Sequence, residues 1–98
     1  MTLPKKLTKE EVQLIPQSDL GCVMMKMRDE WNTLIGLHIV QKNLTTLQVF
    51  HPDLGSAASL IESMYYESNI RNNSLMKMAT EEEQSEYMSY LFDSVGFL

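Results

Sequence analysis

An all-α fold, a small bundle of about four to five helices, is what this sequence predicts, and three observations carry the expectation. Thr8 with Glu11, and Thr80 with Glu83, have the three-residue spacing of capping boxes, which marks two helix starts. Between them, leucine, methionine and aromatic residues recur at three- and four-residue intervals, the repeat of a helix with one buried face. A chain of 98 residues that is 44% apolar supports one core. A single domain over 1–98 follows, with residues 1–7 as an N-terminal arm free to move.

The first helix opens at Thr8, with Leu7 and Val12 in the positions of a hydrophobic staple. Pro16 stops it after about two turns, since proline has no N–H to donate and clashes with the preceding turn. Ser18 or Asp19 is then the candidate cap of the second helix. Along that helix Leu20, Val23, Met24, Met27, Trp31, Leu34 and Ile35 share a stripe, whereas Cys22, Met25, Lys26, Asp29, Asn32 and Thr33 fall elsewhere.

The run from Cys22 to Met27 holds one cysteine and three methionines, a composition suited to a soft metal. Such a site needs its ligands to converge, and the helical repeat sends Cys22 and Met25 away from Met24 and Met27. Met24 and Met27 therefore read as core filler, and no metal is expected. Met25 is left outside the core without a packing role.

After Gly36 the stripe rotates, with Leu37, Val40, Leu44 and Leu47 along it. Segment 37–50 reads as a helix. The alternative, an α+β fold with a hairpin turning at Lys42-Asn43, draws on the strand preference of Thr45, Thr46, Val49 and Phe50. A lone two-stranded hairpin is marginal in water, and nothing else in the chain reads as a strand.

Pro52 ends this element, and Asp53 or Ser56 is placed to cap the next, expected to run to Asn72-Asn73. Leu54, Ala57, Ala58, Ile61, Met64, Tyr65 and Ser68 make its inner face; Tyr66 and Ile70, four residues apart, fall on the opposite side. The last helix starts at Thr80, with Glu81 and Glu82 suiting its positive end. Tyr87, Met88, Tyr90, Leu91 and Val95 form its apolar face. Gly96 fits a C-terminal cap that brings Phe97 against Phe92.

The net charge of -5 is unevenly placed. Beyond Lys42 only Arg71 and Lys77 stand against eight carboxylates, which disfavours direct nucleic-acid binding. An acidic run at 81–86 raises the opposite alternative, an acidic inhibitor that mimics nucleic acid, although capping also accounts for it. The single Cys22 excludes an internal disulfide, and no apolar stretch is long enough for a membrane, so a cytoplasmic setting is expected. No phosphate loop, zinc spacing or local activating motif at Cys22 appears, so no cofactor and no catalysis of its own are expected. His38 projects onto the inner stripe and reads as a core or boundary residue.

The tripeptide His51-Pro52-Asp53, between two predicted helices, resembles the loop of J-domain co-chaperones. That resemblance implies stimulation of an Hsp70 partner through these three residues. Such domains carry a strongly basic preceding helix; segment 37–50 has Lys42 and His38. The structural alternative is a proline-terminated helix followed by an Asp53 cap.

The leading expectation is a protein-interaction module, an inhibitor, adaptor or regulator. Its partner is another protein or a second copy in a homodimer, and Tyr66, Ile70, Met25, Phe92 and Phe97 form its binding surface. Aromatic and methionine side chains that a core does not use are common binding material.

Overall fold

Thr8 nucleates the first helix as its spacing predicts: its Oγ1 accepts the Glu11 N–H at 3.1 Å, and Glu11 Oε1 accepts the Thr8 N–H at 3.2 Å. The helix it opens, α1 (Lys9–Gln13), buries Val12 completely. The computed structural model describes residues 3–95. Within them a 3-10 turn at Gln17–Asp19 leads into α2 (Leu20–Arg28), followed by α3 (Leu34–Phe50), α4 (Ala57–Met78) and α5 (Glu81–Val95). No strand occurs among the described residues, so segment 37–50 is helix and the hairpin alternative is overturned.

Three boundaries depart from expectation. Neither Ser18 nor Asp19 caps α2 with its side chain. Asp19 already has helical backbone angles (φ -96°, ψ -7°) because the 3-10 turn feeds straight into the helix. The stripe from Leu20 to Ile35 is not one helix. It breaks after Arg28, and Thr33, in extended conformation, restarts it by accepting the Gly36 N–H at 3.0 Å. Trp31 lies in the break yet is only 2% exposed, so the loop delivers a core ring. Finally, α4 continues past Asn72-Asn73 to Met78. The helix cost of two asparagines, roughly 0.7 kcal/mol each, is offset where Leu75 packs on the core and Arg71 anchors the helix to the 29–33 loop.

Ser56 stands at the N-cap position of α4 as expected but makes no side-chain capping bond, and Asp53 does not cap the helix. Asp53 Oδ1 accepts the Gly55 N–H at 3.0 Å, closing a local turn in which Gly55 takes a left-handed φ of 53°. Backbone carbonyls of Leu54 and Gly55 receive the first amide donors of α4.

The core is built around α3, which packs against α1, α2, α4 and α5. Leu37, Val40, Leu44 and Leu47 are fully buried, beside Leu20 and Met24 of α2 and Ile61 and Met64 of α4. A polar side chain, Asn43, is sealed among them. Asn43 accepts the Leu7 N–H and donates to the Lys5 carbonyl, both at 2.8 Å. It ties residues 5–7 of the expected free arm to α3.

Candidate functional site

α4 divides cleanly into two faces. Ala57, Ile61, Met64 and Ser68 are buried, and the residues half a turn away point outward. Tyr66 is 72% exposed and Ile70 52%, one turn apart on that outer face. An exposed aliphatic side chain alone is ordinary; two large ones at helical spacing form a single patch.

The second helix reaches the same region. Arg28 of α2 donates to Glu67 of α4 at 2.9 Å. Met25, 45% exposed, lies one turn before Arg28, and Ile70 lies one turn after Glu67, so the ion pair stands between them. Cys22 is exposed on α2 while Met24 and Met27 are buried, which separates the sulfurs as the helical repeat predicts. Among the described residues, no three His, Cys, Asp or Glu side chains gather closely enough to hold a metal ion.

Phe92 is 76% exposed on α5, a helix that packs on α3, and lies one turn after Met88. Met88 was expected on the packed face of α5 and is instead 60% exposed. Tyr87 and Tyr90 hold that face, set edge-on around the His38 ring at 6.2 and 5.4 Å. Burial, with Lys42 and Lys6 adding to it, lowers the His38 pKa from its ordinary value. Burial also raises that of Tyr87. Gly96 and Phe97, and with them the expected closing cap, lie outside the described residues.

His51 is turned inward. Its ring nitrogens each lie 2.9 Å from a backbone carbonyl, Nδ1 from that of Asp53 and Nε2 from that of Ile15. Only 9% exposed, the ring pins the end of α1 to the loop that begins α4. A polar groove of about 400 Å³ runs between α3 and α4, lined by His38, Gln41, Lys42, Thr45, Tyr65 and Asn69. Much of its hydrogen-bonding capacity is spent internally. Thr45 donates to the Gln41 carbonyl, so its bond with the Tyr65 hydroxyl has tyrosine as donor, and Gln41 Nε2 donates to Ser68.

Some exposed apolar residues escaped the sequence. Leu14 (82% exposed) and Val49 (64%) stand out near the end of α1 and the end of α3, where the Lys9 ammonium lies 5.5 Å from the Phe50 ring. Leu14 follows the last residue of a five-residue helix, too short for a stripe to reveal which way its end faces. Among the described residues no helix is long and apolar enough to cross a membrane. No protein-family model, curated protein or solved structure matches the chain.

Proposed function

We propose that this protein is a non-catalytic interaction module, an inhibitor, adaptor or regulator, whose partner-binding surface is the outer face of α4 around Tyr66 and Ile70, bordered by Met25 of α2. The observation that carries the reading is the exposure of Tyr66 and Ile70 one turn apart on a helix whose opposite face already supplies the core. Neither residue contributes to that core. Covering them against another protein removes apolar surface from water, and a tyrosine at the centre of such a patch is worth about 2 kcal/mol or more as a hot spot.

The test compares baits in capture from native lysate. Tyr66→Ala with Ile70→Ser should lose the captured protein and keep its circular dichroism. Leu14→Ser, equally exposed but at the end of α1, should retain it. Equal capture by the first variant and the wild type would reject this surface.

A further inference from the structure

The charges of α4 are sorted along its length. Its first half, Ala57 to Glu67, carries Glu62 and Glu67 with no base; its second half, Ser68 to Met78, carries Arg71 and Lys77 with no acid. Glu67 is engaged by Arg28 at 2.9 Å, and Arg71 by the Trp31 carbonyl and Asn32 Oδ1, both at 3.0 Å. Neither Glu62 nor Lys77 forms an ion pair among the described residues.

The outer face has a second regularity. Ser59, Ser63, Tyr66, Ile70, Asn73 and Lys77 succeed one another at alternating spacings of four and three, and all are exposed. That is the spacing of a helix–helix seam. It extends about 27 Å at the helical rise of 1.5 Å per residue. Small serines occupy one end, the two large apolar side chains the centre, and a polar pair the other end.

We infer that the occupant of this face is a second copy of the chain, its α4 lying antiparallel across the first. The inference rests on the outer-face reading above and adds the identity and direction of the partner. A two-fold axis at the level of residue 68 sets Tyr66 of each copy against Ile70 of the other, and each acidic half against the other's basic half. The same residues then serve both sides of the interface, as an isologous contact requires. A parallel pairing would instead set Glu62 beside Glu62 and Lys77 beside Lys77, with no opposite charge to offset the repulsion. In the antiparallel arrangement Lys77 of one copy faces Ser59 of the other and lies one turn from its Glu62. A seam of one helix per copy is at the small end of stable interfaces, so the dimer is concentration-dependent.

The experiment is sedimentation velocity on the full chain at low salt, over roughly 1 to 200 µM, which brackets a micromolar dimer. Wild type should pass from monomer to dimer. Glu62→Lys and Lys77→Glu, each alone, should weaken dimerisation by roughly five- to tenfold, because the two-fold axis doubles every exposed pair. Combining both substitutions in one chain should restore it. Tyr66→Ala with Ile70→Ser should abolish it.

A wild type that stays monomeric throughout overturns the second copy as occupant, and leaves the outer face to be judged by lysate capture. A dimer lost in the Tyr66/Ile70 variant but indifferent to the charge exchange overturns the antiparallel arrangement. A dimer that survives the loss of Tyr66 and Ile70 overturns this inference, since the copies then meet elsewhere.

Discussion

Arg71 of α4 closes over Trp31: its Nε donates to the Trp31 carbonyl at 3.0 Å, and its guanidinium lies 6.0 Å from the centre of the indole ring. Through Nη2 it also donates to Asn32 Oδ1 at 3.0 Å. One side chain thus holds the loop between α2 and α3 against the last third of α4. Trp31→Ala should cost about 3 to 5 kcal/mol in urea unfolding, since the ring is buried and its cavity cannot collapse freely. Arg71→Ala should cost about 1 to 2 kcal/mol, from a charged hydrogen bond and the ring contact together. A tryptophan fluorescence maximum that stays fixed in Arg71→Ala would mean that the loop holds its place without the guanidinium.

Two glycines make opposite predictions. A methyl group at Gly36 would stand 2.8 Å from the backbone carbonyl of Glu30 and 2.9 Å from Thr33 Oγ1, the atom that caps α3. Gly21, in the first turn of α2, has nothing within 4 Å of the same position. Gly21→Ala should therefore stabilise by about 0.5 kcal/mol through the entropy of the unfolded chain. Gly36→Ala should destabilise by about 1 to 3 kcal/mol, the range for overpacking, despite alanine's better helix propensity. Thermal midpoints of the pair shifting in the same direction would contradict the close approach at Gly36.

His38 sets a pH dependence of known sign. Burial, first, and then Lys42 and Lys6 hold its folded pKa below the ordinary 6.5. The groups around it are the Tyr87 and Tyr90 rings of α5, with those two lysines. As the pH falls through about 6.5, the unfolded chain takes up this proton before the folded one, so its contribution to stability declines there. Replacing His38 with Gln should flatten the stability profile between about pH 7 and 5 relative to wild type. Glu11, lowered chiefly by its bond to Lys5, has its effect at more acidic pH, where the stability it lends is lost as the carboxylate protonates. Parallel profiles for wild type and His38→Gln would remove His38 as the source.

Much of this architecture was legible because local chemistry and tertiary packing agree. Thr8, Thr80, Val12, the Leu20–Met27 stripe and the Ile61–Met64 face do in the fold what their spacing indicates. The outward direction of Tyr66, Ile70 and Met25 was legible for the same reason, since each is the complement of a strong stripe. Where long-range contacts decide, the sequence was silent. Trp31 sits on stripe whether or not the helix breaks, so burial alone could not reveal the loop that Arg71 anchors forty residues later. Asn43 drew notice only as part of the alternative hairpin turn, yet its amide is the buried strap for residues 5 and 7. Met88 and Tyr87 are neighbours in sequence, and only the placement of α5 on α3 chose which one packs.

The central claim, that the outer face of α4 is where this protein meets its partner, is tested most directly by hydroxyl-radical footprinting of single side chains. Wild-type protein would be oxidised first as dilute monomer and then in its associated state, whether that is the concentrated chain or the complex captured from lysate. Tyr66 should lose several-fold of its reactivity on association and Ile70 should follow it, while Leu14, exposed at the end of α1, keeps its own. Tyr66 oxidised at the same rate in both states, with protection appearing at other residues, would contradict the account.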